Sequence, residues 1–546
     1  MDAQTSHRGG TELVQFLTDK AFRHVFGLPG SSMVAPLYDM QRTDIAFVPA
    51  IHESVAVAAA DGYARVAGSA VVLLYMLPGV ANGLANIYNA WRDESPIMIL
   101  SSQQASHYRT GTATIGEDNL VNLMQPYTRM AHELVPGMDM RFWLERARSL
   151  ASGAVPVPVF LSIPEDVFEG PVMSRDPLVG VSAGSGTPDP GDVAQALRDA
   201  EKPLIMVGGQ LRRFGGSDVI EELAERYGIA LAFESGFSDR YGVAPGHPNC
   251  FGGIGLAGAL EKSADTVLAL GSRFLLEAHP RPDWFPAARF LAHVNADPLK
   301  VAETQPVHWS AAADPGAFAA AIARALAELP VCEERLARRR SWLASLRELD
   351  SKTVLTPLAQ SYAKALAPLH DALDRGWLVD ESVMGVHRLG KILTARDGSR
   401  YVGTSGASLG WATGAAVGVA LASGEPVTCV LGDGALRFGA LGLWSIRAQN
   451  LPITLVVIDN GGYGSTRFFE RQFVERLGAS ANPQRAAYIG SDLRGTGSTV
   501  QSVIEGFNIP TETVPLGSDA RAAIEKAWAS SSKGPNAVII EMEFAE

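Results

Sequence analysis

Short runs of Val, Ile and Leu recur along the whole chain, most of them closed by glycine or aspartate and followed by alanine-rich helical stretches. Val71-Val72-Leu73-Leu74-Tyr75, Leu204-Ile205-Met206-Val207 and the runs at 266–270 and 427–431 are examples. A strand that is apolar on both faces has to be covered on both faces. The pattern therefore predicts βαβ units and an α/β chain of doubly wound, open parallel sheets. In such sheets ligands gather where strands end at their carboxyl edge, so residues just after the apolar runs are the first candidates for chemistry.

With 546 residues and roughly 100–200 residues per domain, three domains are expected. Changes in composition place them at 1–180, 190–330 and 376–546. A Gly/Ser/Pro-rich linker lies at 181–190 and a charged, helical connector at 331–375. The first and last blocks share a layout. Each has an apolar strand, a glycine turn (Pro78-Gly79; Gly432-Asp433-Gly434), a helix, a proline and a second apolar strand. From turn glycine to proline the distance is 17 residues in one (79 to 96) and 18 in the other (434 to 452). Either one fold is used twice, or this is the general likeness of any two βαβ units.

The formal charge of −12 opposes binding to phosphate backbones, so no nucleic-acid partner is expected. Cys250, Cys332 and Cys429 are too scattered for a disulfide framework or a metal knuckle, which suits a reducing compartment. The first eight residues lack the apolar segment of a signal peptide, and no run approaches the ~18–20 residues that span a bilayer. A cytoplasmic protein without a membrane partner is the expectation.

In the last block Gly432-Asp433-Gly434 follows one strand, and Asp459-Asn460-Gly461-Gly462 follows the next, with 27 residues from Asp433 to Asn460. Both side chains then emerge at the same sheet edge. A carboxylate, an amide oxygen and a main-chain carbonyl are hard ligands that suit Mg²⁺. The glycines let backbone N–H groups approach a diphosphate, and a helix starting near Ala435 adds its positive end. The alternative is a pair of ordinary strand-end turns.

These spaced motifs resemble the diphosphate–metal motif of the thiamine diphosphate-dependent enzymes. The resemblance extends over the chain as a pyrimidine-binding, a central and a diphosphate-binding domain. It is nearest to the 2-oxo-acid decarboxylase and acetolactate synthase group, benzoylformate decarboxylases in particular. It implies thiamine diphosphate and Mg²⁺ as cofactors, with Asp433, Asn460 and the Gly462 carbonyl as metal ligands. Gly434, Ala435, Tyr463 and Gly464 would line the diphosphate. Leu409 would lie beneath the thiazolium; otherwise it is a core leucine. Glu53, in His52-Glu53-Ser54 after the apolar run 45–51, would bond the cofactor's pyrimidine and activate its C2; read locally, it is a first-turn helix glutamate. The implied reaction is decarboxylation of a 2-oxo acid, with an aromatic or bulky side chain, to an aldehyde through a C2 ylide and an enamine. Its alternative is carboligation of the acetolactate synthase type, or other carbon–carbon cleavage. Sites of this family are assembled across two subunits, which implies a homodimer at least and often a homotetramer.

Substrate contacts follow from the same resemblance. Ser31 would meet the substrate carboxylate, or simply cap a helix. Tyr75 stands where benzoylformate decarboxylases carry a first catalytic histidine, and His279 could supply the second with a one-residue insertion. Gln103, Phe468 and Phe469 would line the substrate pocket, the two phenylalanines equally suiting a core. His107 and Glu117 follow Gln103 in a loop read as solvated. Gly253-Ile254-Gly255-Leu256-Ala257-Gly258 fits G-x-G-x-x-G but is read as following a Pro/His/Asn-rich loop at 245–249 rather than a strand, which weighs against NAD(P). FAD in the central block remains open, because acetolactate synthases bind it there.

Overall fold

The computed structural model describes residues 8–108, 115, 119–172, 186–234, 239–254, 258–274, 284–304, 306–330, 332–352, 355–395, 397–477 and 489–543. Among them, three six-stranded sheets are built entirely from parallel pairs.

The first sheet holds β1 (His24–Gly27), β2 (Ala46–Pro49), β3 (Ala70–Tyr75), β4 (Ile97–Gln103), β5 (Ala131–Glu133) and β6 (Val159–Pro164), in the order β2-β1-β3-β4-β6-β5. The second holds β7 (Pro203–Val207), β8 (Ala230–Phe233), β9 (Cys250–Gly253), β10 (Thr266–Leu270), β11 (Phe290–Asn295) and β12 (Trp309–Ala312), in the order β12-β11-β10-β7-β8-β9. The third holds β13 (Trp377–Glu381), β14 (Tyr401–Gly403), β15 (Val427–Gly432), β16 (Ile453–Asp459), β17 (Thr511–Val514) and β18 (Asn536–Glu541), in the order β14-β13-β15-β16-β18-β17. Counted from each sheet's own first strand, the first and third orders are the same. One fold is used twice, and the central sheet differs.

Three local expectations need correction. Pro78-Gly79 is not a turn, because the helix Met76–Arg92 follows β3 directly. Met76 makes the reversal itself at φ 48°, and Pro78 sits in the first helical turn, where its missing N–H costs nothing. The helix after β15 starts at Asp433, not near Ala435. Gly253, the first of the glycine-rich stretch, ends a strand, β9, but β9 is the far edge of the central sheet, and 255–257 lie outside the described residues. The switch point of that sheet lies between β7 and β10, where Gly208-Gly209 and Gly271 occur, so a dinucleotide fingerprint at β9 would be misplaced.

The first and third units meet through helices Glu53–Ala67 and Ala412–Ser423. Small residues let their backbones touch. A Cβ at Gly62 would strike the Ala415 backbone, and one at Gly418 would strike the Ala59 carbonyl and Tyr63 N. Val55–Ala60 and Ala412–Val417 are buried throughout, so alanine here serves close packing rather than helix propensity alone. Gly418→Val should force these helices apart and cost about 1–3 kcal/mol, the usual range for overpacking, read as a lower denaturant midpoint with the strand content unchanged.

Candidate active site

At the carboxyl edge of the third sheet, β15 and β16 run in register to Gly432 and Ile458. Asp433 and Asn460 follow at once, 2% and 5% exposed. Burial, reinforced by the charge of Asp459, pushes the Asp433 carboxyl up to about 7. Its Oδ2 is buried and has no hydrogen-bond partner among the described residues. A buried carboxylate oxygen without a donor is costly unless something positive meets it. The donor set beside it is of the hard-oxygen kind: the Asn460 amide oxygen, which already accepts from Gly462 N at 3.1 Å, and the Gly462 carbonyl. These residues fit a small divalent cation.

The turn that presents Asn460 is fastened from several sides. Gly461 lies at φ 74°, a conformation that glycine adopts without strain. Arg467 donates to the carbonyls of Gly461 (3.2 Å) and Ser491 (3.1 Å), and Tyr463 N donates to Ser491 O at 2.9 Å. Tyr463 lies over Gly434, where a Cβ would come within 2.9 Å of its ring. Tyr362, from the connector helix Pro357–Leu366, was not foreseen. Its hydroxyl accepts from Asn460 Nδ2 at 2.8 Å, which turns Oδ1 of the amide the other way. Burial pushes the Tyr362 phenol up to about 12, so it remains a neutral acceptor. An aromatic residue in a connector gives no sequence cue to such a role.

Leu409 is half-buried and borders a small pocket with Asp380, Glu381, Ser382, Val383, Thr404 and Ala407. It also packs against the core, the second of its expected settings. Glu381, another residue that was missed, closes the turn after Leu409 by accepting from Gly410 N and Ala412 N, each at 2.7 Å. Burial pushes its carboxyl up to about 7 against those bonds. Its place at the end of an apolar strand was the available cue.

In the first unit, Glu53 is 9% exposed and opens the helix Glu53–Ala67. The run before it forms β2, a partly exposed edge strand, not the buried strand expected. The burial of Glu53 comes instead from the helix Met76–Arg92. Asn82 Nδ2 donates to its Oε2 at 3.0 Å, and a Cβ at Gly79 would stand 3.3 Å from its Oε1. Beside it, the ends of β3 and β4 pair Tyr75 with Ser102. Ser31 Oγ and Tyr75 OH are 3.2 Å apart, and Ser32 Oγ donates to Ser102 Oγ at 2.8 Å. Ser31 is the first residue of a short 3-10 turn whose cap position is Gly30, so it is not the cap. Gln103 is buried, its Oε1 accepting from Gln104 N.

Phe468 packs against a core cluster and Phe469 is 38% exposed, with ring centroids 5.4 Å apart. Half of the two-way expectation for these residues thus resolves toward core. His107 is exposed, 3.9 Å from Asp166. His279 and Glu117 lie outside the described residues. At the central switch point a crevice is crossed by the chain's own bonds, from Gln210 and Arg213 to Glu94.

Comparison with known proteins agrees with this layout. Residues 7–124, 191–322 and 382–541 match, respectively, the N-terminal TPP binding domain, the central domain and the C-terminal TPP binding domain of thiamine pyrophosphate enzymes. Benzoylformate decarboxylase of Pseudomonas aeruginosa is 27% identical over 459 residues, covering 82% of this chain and 84% of that protein. Acetolactate synthase of Arthrospira platensis is 26% identical over 503 residues, covering 85% and 84%. The thiamine diphosphate-dependent 4-hydroxybenzoylformate decarboxylase of Rhodococcus jostii RHA1 superposes with a TM-score of 0.82 over 99% of this chain and 100% of that one, at 22% identity, and so shares the fold.

Two substitutions test the third-sheet edge. Asp433→Asn removes a buried carboxylate whose Oδ2 has no donor among the described residues. At pH 8 it should raise the melting midpoint of the cation-free protein and abolish the extra stabilisation that Mg²⁺ gives the parent. Tyr362→Phe frees the Asn460 amide to rotate, and should weaken Mg²⁺ binding about 10-fold, as loss of an outer partner of a metal ligand commonly does, measured by calorimetric titration.

Proposed function

The chain belongs to the thiamine diphosphate-dependent enzymes of the decarboxylase and acetolactate synthase group, and on that premise we propose that it removes CO₂ from a 2-oxo acid with an aromatic or bulky side chain, releasing an aldehyde. The observation that carries this reading is the pair of like sheets with different chemistry at the same edge. One presents the buried carboxylate Glu53, the other Asp433 with Asn460 and Gly462.

When bound, thiamine diphosphate supplies a thiazolium that accepts the electron pair left by a broken carbon–carbon bond. Asp433, Asn460 and the Gly462 carbonyl would hold Mg²⁺, and through it the diphosphate. Gly434, Ala435 and Gly464 give close backbone approach, and Tyr463 covers it. Glu53 would hold a proton against the pyrimidine ring, in an orientation set by the amide of Asn82. Leu409 supports the cofactor from the loop 404–409. Ser31 and Tyr75 would face the substrate, a hydroxyl pair able to orient a carboxylate or pass a proton. Gln103 and the phenylalanines 468 and 469 belong to the same proposal as walls of the substrate site. A homodimer is the smallest working unit proposed, with a tetramer as its higher form.

Carboligation is the second reading. It is favoured by the likeness to acetolactate synthases and by Tyr75 in place of a histidine, which removes a proton carrier that titrates near neutrality. Purified protein with thiamine diphosphate, Mg²⁺ and a panel of 2-oxo acids separates the two. An aldehyde with stoichiometric CO₂ supports decarboxylation, and a hydroxyketone supports carboligation. Absence of CO₂ from every acid would sink both. Glu53→Gln is expected to lower turnover at least about 100-fold, the scale of a lost positioned proton donor, while circular dichroism and Mg²⁺-dependent cofactor binding stay close to those of the parent.

A further inference from the structure

Helix Ala412–Ser423 does not cap itself. Its N-cap residue, Trp411, makes no side-chain cap bond; the indole donates to Asp61 instead, at 2.7 Å. The cap comes from another strand. Glu381, the last residue of β13, accepts from Gly410 N through Oε1 and from Ala412 N through Oε2, each at 2.7 Å. Both bonds are short and charge-assisted, and the carboxylate meets the positive end of a helix of 12 residues, which strengthens its hold.

A serine, threonine or aspartate at the N-cap would satisfy such N–H groups locally. A cap supplied by β13 does more, because it ties the turn to the sheet. β13 pairs with β15, with Glu381 opposite Leu431, two residues before Asp433. On its other side the turn touches the helix Asp433–Phe438: a Cβ at Gly410 would come within 2.8 Å of the Phe438 backbone. Thr413 Oγ1 donates to Gly439 O at 2.7 Å. The residue just before Gly410 is Leu409, which shares its small pocket with Glu381. Two more residues of that pocket hold a positive φ without being glycine, Val383 at 51° and Ala407 at 57°. For β-branched Val383 this backbone is costly, and it persists only where the surroundings leave no alternative.

We propose that Glu381 is a positioning residue: by capping the turn 409–412 from the sheet that ends in Asp433, it fixes where Leu409 stands relative to the metal edge. The proposal rests on the thiamine diphosphate reading of the site. Glu381, Leu409 and Asp433 belong to one unit, so they serve one cofactor whichever subunit supplies Glu53. Glu381 is not a catalytic residue; it acts through Leu409, while Asp433, Asn460 and Gly462 would keep their hold on the diphosphate without it.

Glu381→Gln keeps the size of the side chain but offers one acceptor oxygen to two N–H groups. The test is run at pH 8, where the Glu381 carboxyl of the parent, pushed up to about 7, is ionised. In the cofactor-free variant the Gly410 and Ala412 amides should exchange with deuterium at least about 10-fold faster, the scale of a lost bond to a charged acceptor, read by mass spectrometry. Affinity for thiamine diphosphate with Mg²⁺, by calorimetry, should stay within about threefold of the parent. Hydrogen–deuterium exchange at C2 of the bound cofactor, by NMR after acid quench, should slow about 10-fold, the lower scale for a lost outer partner. Leu409→Ala should slow it as well, and the double variant should be no more than about threefold slower than the slower single one. Asp314→Ala removes an ordinary cap in the central unit, where Asp314 Oδ1 accepts from Ala317 N at 2.9 Å. It should lower the melting midpoint and leave C2 exchange at the parent rate. Unchanged exchange of the two amides, parent-like C2 exchange in Glu381→Gln, effects that multiply in full with Leu409→Ala, or equal slowing by Asp314→Ala would overturn the positioning role. If Glu381→Gln does not fold, Glu381→Asp, whose shorter arm withdraws the carboxylate, is judged by the same criteria. A parent protein that binds no thiamine diphosphate with Mg²⁺ would overturn the cofactor reading and the positioning role together, whereas binding with any of those failures overturns the positioning role alone.

Discussion

Contact between two helix backbones governs how the rest of this molecule is arranged. Helices Glu53–Ala67 and Ala412–Ser423 pack so closely that Gly62, Gly414 and Gly418 have no room for a side chain. One of these helices opens with Glu53. The other follows the turn that carries Leu409. Close packing therefore does more than join two sheets of the same topology. It sets the distance between two strand-edge features that would otherwise float on separate domains, and dispersion at backbone contact makes that distance hard to alter.

A polar junction completes what the helices begin. Arg65 is buried at the end of the first helix, donating to Asp61, Asp93 and the Gly403 carbonyl. Its guanidinium also lies 5.0 Å from the centre of the Trp411 ring. Burial alone would depress the Arg65 guanidinium, but Asp61 and Asp93 hold it above its ordinary value. Burial alone would raise the Asp93 carboxyl, but Arg65 and Ser405 hold it below. Nearby, Glu94 receives Gln210 and Arg213 of the central unit. A buried ion pair adds little net stability against its desolvation cost, yet breaking it leaves an unmatched charge. Such a junction penalises wrong domain arrangements more than it rewards the right one.

Legibility in the sequence follows how local the physical cause is. The repeat of strand, helix, proline and strand was readable because parallel-sheet strands are apolar on both faces and end in characteristic residues. Asp433 and Asn460 were findable because polar groups just past such strands face the ligand edge of a sheet. Errors arose where one residue overrode the local rule. Met76 took a positive φ and removed an expected turn, and the run before Glu53 became an edge strand. Tyr362 gave no cue, since only the folded connector brings it to Asn460.

The asparagines show the division most clearly. In sequence, Asn82, Asn86 and Asn89 form a polar stripe on a helix, the usual mark of a solvated face. In the fold, two of the three are fully buried, and the partner of Asn89 is Ser408, 319 residues away. The sequence by itself determined the parallel sheets and the strand-end residues, because these depend on patterns within a few residues. Which polar group meets which was decided by tertiary structure alone. Hydrogen bonds act over about 3 Å, and only packing brings residues distant along the chain within that reach.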